Sequence, residues 1–517
     1  MATAPRVNAV KAALDRMNTS LKGRLQGRHQ HDGVRWMLKR ELELPAPNGG
    51  ILADDMGLGK TMQAIAVICA NPMPTLIVCL VPTMTQWTNA LYDFGGIRAL
   101  VVNVSYKGIL PADAQVVITG YSSFQQGKGR GPTCLKDFPF KRIILDEGHN
   151  IRNKSTRVFQ EISQLSGTHR WILSGTPIQN SSKDLNSLAT WIGIDTSLSN
   201  EAICKEYVLR RTQEGEALIN PRIALPKLTT EVKRIPFKYP DEAKLYRRVE
   251  RYFEAQMEAA SSSRKHNTAM EGITRCRQIC SHPRLYTEGL KRKQVKKRAR
   301  RQQFISDSSS SEEDESDGDN EKPLRLPRVK DNKTARSTKL DYLCDELCKH
   351  SPYEKCLVFC AWTTEMKLLQ TELKRRSIAA LIFDGGLSRD QKDNVLYNFM
   401  HSSIPVLVLQ IVCGATGLNL QCASRVYISS PHWNPTIEAQ AISRAWRMGQ
   451  TKCVTCVRIV IEDTIEERCL RIQNSKLGLI SDALHDDSLL SRLGAQIEED
   501  GLTKDELDRL FADISYF

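Results

Sequence analysis

The sequence predicts an α/β fold: two lobes, each a parallel sheet covered by helices, separated by a helical insertion and a disordered linker. Three observations predict it. Short apolar runs rich in β-branched residues recur, each followed by a stretch of helical character, and this pattern occurs twice with a break between. At 517 residues the chain is too long for one hydrophobic core. Hydrophobic residues at 41% and charged residues at 26% are ordinary globular values, which excludes a wholly disordered chain.

In the first half the runs are Gly50 to Ala53, Leu76 to Val81, Ala99 to Val104, Val116 to Thr119, Ile143 to Leu145 and Trp171 to Leu173. In the second they are Cys356 to Cys360, Ala380 to Phe383, Val406 to Leu409, Val426 to Ser429 and Val454 to Val460. Strands apolar on both faces belong to sheets covered on both faces. From Lys183 to Tyr286 the strand signal fades and helical segments dominate, among them Pro240 to Ala260 and His266 to Ser281. Residues 290–336 join a basic block, a Ser/Asp/Glu block and prolines with almost no apolar residues, too little to offset chain entropy. The basic block is a candidate nuclear localisation signal and the serines amid acids are candidate kinase substrates; a solvated spacer explains both equally well. The expected division is a lead (1–20), a first lobe (21–225), a helical insertion (226–289), the linker (290–336), a second lobe (337–480) and C-terminal docking helices (481–517). The docking reading rests on Leu507, Leu510, Phe511 and Ile514 at helical spacing.

Composition also limits function. No apolar run approaches the roughly 18 residues a membrane span needs, and the start, MATAPRVNAVKAALDRM, does not read as a secretory signal. Membrane and extracellular roles are excluded on this reading. Fifteen cysteines without a framework read as free thiols. The pairs Cys344/Cys348, Cys356/Cys360 and Cys453/Cys456 lie in helix-like or strand-like runs, not in loops where four thiolates converge, so core packing is expected and no zinc site. The eight basic and eight acidic residues between Lys291 and Glu321 cancel, so the net charge of +14 sits on the foldable remainder. A folded body that basic points to a polyanion, nucleic acid first.

The strongest local signal is GGILADDMGLGKT, Gly49 to Thr61: an apolar strand, a glycine-bearing loop ending Gly59-Lys60-Thr61, then a helix. Backbone N–H groups of such a loop, with a helix N-terminus behind them, cradle phosphate oxygens. Lys60 would reach the β- and γ-phosphates and Thr61 would hold Mg²⁺. A second element, KRIILDEGH, ends a strand in adjacent carboxylates. Asp146 would hold Mg²⁺ directly or through water, and Glu147 would orient and deprotonate the attacking water.

Together these motifs resemble the Swi/Snf (sucrose-non-fermenting) family of superfamily-two helicase-like ATPases, from about Leu25 to the C-terminus. The resemblance implies two RecA-like P-loop lobes, ATP and Mg²⁺ as cofactors, and movement along double-stranded DNA that displaces or remodels chromatin or other DNA-bound proteins in the nucleus. Arg28-His29-Gln30 resembles the adenine-reading motif, which makes Gln30 the adenine contact. In ILADDMGLGKT the family has Asp at position 54, and Asp54, Met56, Gly57, Leu58 and Gly59 line the nucleotide with Lys60 and Thr61. Ile77 to Pro82 with Trp87 resembles motif Ia. DEGH at 146–149 fits the family's acidic box, with His149 coupling hydrolysis to movement. Ser174-Gly175-Thr176-Pro177-Ile178-Gln179-Asn180 resembles motif III, whose hydroxyls on Ser174 and Thr176 share that task.

Phe359 to Trp362 and Phe383 to Gly386 resemble motif IV and the loop after it. GATGLNL, 414–420, resembles motif V and brings Gly417 to the nucleotide. QAISRAWRMGQ, 440–450, resembles motif VI, with Gln440 at the nucleotide and Arg444 and Arg447 as arginine fingers from the opposite lobe. Such an arginine is worth on the order of 10³–10⁵ in rate. Pro431 to Pro435 (PHWNP), RCRQICSHPRLY and LTKDELDRLF resemble the branch of RING-containing repair remodellers and RING-less transcription-termination ATPases; no cysteine lies between Tyr286 and Arg336, so no RING is expected. Gly120, Gln410, Val412 and Ala415-Thr416 depart from the family pattern at positions that bear on DNA grip. Two other classes stay open: a DEAH-type strand-separating helicase on RNA or DNA, and a nucleotide-binding scaffold without turnover.

Overall fold

A computed structural model of the protein describes residues 7–106, 108–125, 134–178, 182–259, 262–291, 336–414, 418–484 and 486–495. Seven strands in the first half are β1 (Asn48–Leu52), β2 (Thr75–Cys79), β3 (Leu100–Val102), β4 (Val116–Gly120), β5 (Arg142–Asp146), β6 (His169–Leu173) and β7 (Val208–Leu209). Six more are β8 (Leu228–Ile235), β9 (Cys356–Cys360), β10 (Ala380–Phe383), β11 (Val406–Gln410), β12 (Arg425–Ile428) and β13 (Val454–Ile461). Among the described residues they form two sheets, in the orders β3-β4-β2-β5-β6-β1-β7 and β10-β11-β9-β12-β13-β8. Every neighbouring pair is parallel. Parallel neighbours need crossovers, supplied by helices such as Lys60–Ala70 and Met84–Gly95 in the first lobe and Thr363–Arg375 and Arg389–His401 in the second.

The register aligns the strand ends that matter. Leu52 of β1 lies beside Leu173 of β6 and Leu209 of β7, and Leu173 lies beside Asp146 of β5. Four loops therefore leave the carboxyl edge of the first sheet in one row, where open α/β sheets place their ligands.

All eleven apolar runs named above fall on strands. Two strands differ from expectation, and both lie where the strand signal fades. β7 has only two residues. β8 opens the stretch 226–289, which reads as helical; it carries LTTEVKRI at the edge of the second sheet, mostly half-buried or exposed. An edge strand with charged side chains lacks the unbroken apolar pattern of a central one. The helices Pro240–Ala259 and Ser262–Ser281 follow, and Tyr246, Val249, Phe253 and Ile279 pack with Val358, Cys360 and Val408 of the second sheet. Cys344 and Cys356 are buried in the same cluster, whereas Cys348 and Cys453 are exposed.

One apolar cluster runs through both lobes, from Ile51, Leu145, Trp191 and Ile203 to Phe359, Leu409, Leu477 and Ile480. No helix among the described residues is long and apolar enough to cross a membrane. The stretch 292–335, which holds nearly all of the expected linker, and the expected apolar face at 507–514 lie outside the described residues, as do Gln179, Asn180 and 415–417.

Candidate active site between the lobes

The phosphate loop joins β1 to the helix Lys60–Ala70, and two of its glycines have left-handed backbones, Gly57 at φ +91° and Gly59 at φ +78°. The conformation of Gly59 favours glycine, and a Cβ there would stand 2.3 Å from Gln30 Nε2 and displace that amide. Gln30, on the helix Arg28–Leu42, is buried; its Nε2 donates to the Leu58 carbonyl at 3.3 Å and its Oε1 accepts from the Gln26 N–H at 2.8 Å. Lys60 Nζ donates to the carbonyls of Asp54 at 2.6 Å and Asp55 at 3.1 Å. Burial lowers its pKa, against the attraction of Glu147, Asp54 and Asp55. Leu58 is buried, and Met56 and Thr61 are half-buried at the loop.

Asp146 ends β5. Its carboxylate accepts from Trp87 Nε1 at 2.7 Å and its carbonyl from the Tyr121 hydroxyl at 2.9 Å. Burial, and then the adjacent charge of Glu147, push its carboxyl upward. Glu147 has φ +52°, uncommon for a side-chain-bearing residue. Burial raises its carboxyl, but His149, Lys60 and Arg444 outweigh that and hold it below the ordinary value. His149 Nδ1 is 3.4 Å from Glu147 Oε2 and 3.3 Å from Ser174 Oγ, which in turn accepts the Thr176 N–H at 3.2 Å. The structure thus links His149, Ser174 and Thr176 by hydrogen bonds across two adjacent strand ends, with Glu147 beside His149.

The second lobe faces this edge. The helix Pro435–Ile442 is capped by the Asn434 side chain, which accepts the Thr436 N–H at 3.0 Å. Just past its end, the Gln440 carbonyl accepts from Ser443 Oγ at 2.8 Å and Arg444 Nε at 3.1 Å. Ser443 Oγ also lies 3.2 Å from Met56 Sδ, a direct contact between the lobes. Arg444 is buried; burial and then Arg447 press its pKa down to about 10, and Glu147 of the first lobe opposes them. Arg447 is half-buried and donates to the Leu418 carbonyl at 3.2 Å. Gly417 lies outside the described residues.

Asp54, expected at the nucleotide, lies in the phosphate loop with its side chain directed inward. The carboxylate of Asp54 is wholly buried and turned into the protein, accepting from Arg211 Nε at 2.8 Å and Gln63 Nε2 at 3.0 Å. A buried carboxylate must be paired, so the part of Asp54 left for the site is the carbonyl that holds Lys60. Sequence reasoning also missed Asp55, Arg210 and Arg211. Arg210 donates to the carbonyls of Ala53 at 2.7 Å and Gly175 at 2.9 Å, bridging two of the loops. The signal available was a pair of arginines after a two-residue apolar run, too brief to mark a strand.

The residues present fit a divalent cation by their chemistry. Thr61 and Asp146 offer hard oxygen donors, and two adjacent half-buried carboxylates gain from added positive charge.

Two family models match the chain. A family model of the SNF2-related domain matches residues 29–202, and one of the helicase conserved C-terminal domain matches residues 338–449. The chain is similar to the DNA repair protein RAD5 of Yarrowia lipolytica, 26% identical over 84% of this chain and 55% of the relative. It is similar to RAD5 of Saccharomyces cerevisiae, 26% identical over 83% of this chain and 53% of the relative. Among solved structures, the Sulfolobus solfataricus SWI2/SNF2 ATPase core in complex with dsDNA aligns over 95% of this chain and 97% of that chain at 23% identity, with a TM-score of 0.38. The chain spans about half the length of the curated relatives it matches.

Proposed function

The chain belongs to the Swi/Snf family of superfamily-two helicase-like ATPases, and from that premise we propose that it hydrolyses ATP to move along double-stranded DNA and displace or remodel proteins bound there. The observation that carries this reading is the contact of Ser443 with Met56 of the phosphate loop at 3.2 Å, which sets the neighbouring Arg444 at the seam between the lobes. A binding site for nucleotide alone needs no guanidinium from a second lobe. A motor does, because hydrolysis then depends on closure.

In this reading the loop N–H groups and Lys60 Nζ bind the triphosphate, Lys60 exchanging its two carbonyl partners for phosphate oxygens. Gln30, bonded to the Leu58 carbonyl, places the adenine-reading segment against the loop. Thr61 and Asp146 would hold Mg²⁺, which when bound neutralises charge on the phosphate oxygens. Glu147 orients a water in line with the γ-phosphorus and takes its proton on a carboxylate oxygen. His149 fixes that carboxylate and passes its position to Ser174 and Thr176. Arg444 and Arg447 neutralise charge that develops on the γ-phosphoryl oxygens. Reopening after product release resets the two DNA-facing surfaces one step along the duplex. The repair relatives and the basic block after Lys291 favour action in the nucleus.

The test is steady-state ATP hydrolysis with double-stranded DNA, single-stranded DNA and RNA as separate activators, with Lys60→Ala as control. Stimulation by duplex DNA, lost in the control, is expected. Stimulation by RNA alone would favour a strand-separating RNA helicase, and no turnover with any of the three would favour a scaffold.

A further inference from the structure

The phosphate loop is tied to a second set of charges that the nucleotide chemistry does not call on. Because Leu209 lies beside Leu52, Arg210 emerges next to the loop that follows β1. Besides its bonds to Ala53 and Gly175, it reaches Asp55 Oδ1 at 3.0 Å and donates from Nε to Asp486 at 3.0 Å. Asp55 lies in the loop itself, and its other oxygen takes the Gln213 N–H at 3.0 Å and the guanidinium of Arg492. None of these four charged side chains is more than 10% exposed.

Asp486 and Arg492 come from the chain that follows the long helix Ile465–Leu484, and that chain is fastened to the second lobe. The Arg492 carbonyl accepts from Thr230 Oγ1 on β8 at 2.6 Å, and the Leu493 carbonyl accepts from Arg458 on β13 at 3.0 Å. The Arg492 guanidinium lies over the Trp446 ring, 5.1 Å from its centroid. Trp446 stands between Arg444 and Arg447 in the chain. One side chain thus touches both a carboxylate of the phosphate loop and the segment that bears the arginines.

A buried charge network is weak evidence for stability, since desolvation offsets most of the attraction. Its geometric content is stronger: it sets one loop in register with another. We propose that Arg210 and Arg492 are positioning residues for ATP turnover, holding the phosphate loop through Asp55 in register with the Arg444–Arg447 segment, so that shaping the loop and delivering the arginines are one event. Arg492 acts on the loop through Asp55, and Arg210 through Asp55 and the carbonyls of Ala53 and Gly175. The inference rests on the ATPase reading above for its kinetic consequence, and on the cluster alone for the structural linkage.

The test uses the full chain and replaces Arg492 by Met, which keeps an apolar side chain on Trp446 and removes the charge, and by Lys, which keeps a charge. At saturating duplex DNA, Arg492→Met should lower kcat at least tenfold while the affinity for a fluorescent ATP analogue stays within twofold, and Arg492→Lys should recover most of the loss. Asp486→Asn, on the other side of Arg210, should lower kcat about threefold to tenfold with KM unchanged. Hydrogen exchange in the absence of nucleotide supplies a readout independent of turnover: in Arg492→Met, residues 53–61 and 441–450 should lose protection together. If the wild-type chain hydrolyses nothing, the ATPase reading fails while this exchange result still judges the linkage. Faster exchange confined to 486–495, equal behaviour of the Lys and Met variants, or equal loss of affinity and kcat would overturn the proposal.

Discussion

The two lobes bring differently arranged charge to their shared seam. On the first, the charged groups already have neighbours within the lobe: Asp54 pairs with Arg211, Glu147 lies 3.4 Å from His149, and the Lys60 amine donates to two carbonyls. On the second, Arg444 and Arg447 bond to the carbonyls of Gln440 and Leu418, and Arg447 joins burial in lowering the pKa of Arg444. The attraction that opposes this comes from Glu147 in the other lobe. The first lobe thus holds its Lys60 amine on its own loop carbonyls, whereas Arg444 of the second also feels a carboxylate of the other lobe.

The most direct way to break this contrast is to remove one cation from each side. Arg444→Ala is expected to lower kcat by about 10³–10⁵ with little change in nucleotide affinity, because an arginine brought in for the transition state contributes little to ground-state binding. Lys60→Ala is expected to weaken nucleotide binding first. Equilibrium binding of a fluorescent ATP analogue, set beside single-turnover rates, separates the two. An Arg444→Ala variant that loses binding but keeps its rate would make the lobes equivalent binders.

The contrast also explains what could be read from the chain before folding. Central strands such as Ile143 to Leu145 and Val406 to Leu409 are apolar on both faces, so they announce themselves in sequence, and the site loops follow from where those strands end. Lys60, Asp146, Glu147, Ser174 and Arg444 were legible because each sits in a motif next to such a strand or helix. Asp55, Arg210, Asp486 and Arg492 were not. Their partners lie 155, 276 and 437 residues away along the chain, and β7, which delivers Arg210, is two residues long. Asp54 shows a related limit: its place in the loop was legible, but the direction of its carboxylate depends on Arg211, 157 residues on.

The lobes should also separate in stability. The interior of the first is anchored by Glu41, whose carboxylate accepts from Arg142 at 2.7 and 2.6 Å, Trp171 Nε1 at 2.8 Å and Asn71 Nδ2 at 2.9 Å. The Glu41 and Arg142 side chains have no solvent exposure. Glu41→Gln leaves the guanidinium of Arg142 buried without its counter-charge, which costs about 3–5 kcal/mol. The expected outcome is faster hydrogen exchange in β1, β5 and β6 with β9 to β13 unchanged. Uniform destabilisation of both sheets would mean that the lobes unfold as one cooperative unit.

A smaller effect, confined to the second lobe, comes from Glu242. It is buried at the start of the helix Pro240–Ala259, and one carboxyl oxygen accepts from the Thr338 N–H at 3.0 Å and its hydroxyl at 2.6 Å. The other oxygen has no hydrogen-bond partner. Burial, reinforced by Asp341 and opposed by Thr338 and Lys339, raises its carboxyl from 4.5 to about 7. An acid whose pKa is raised on folding binds more protons in the native state than in the unfolded one. Its stabilising contribution is therefore present below the unfolded value and is lost as pH rises through the interval from about 4.5 to about 7. The full interval corresponds to about 3 kcal/mol. Glu242→Gln keeps an acceptor for Thr338 and removes the charge, so at pH 8 it should be the more stable protein, with the advantage gone by pH 4. Thermal unfolding across that range measures the difference. A wild-type protein as stable as the variant at pH 8 would show that the carboxylate finds compensation on this lobe that the described contacts do not supply.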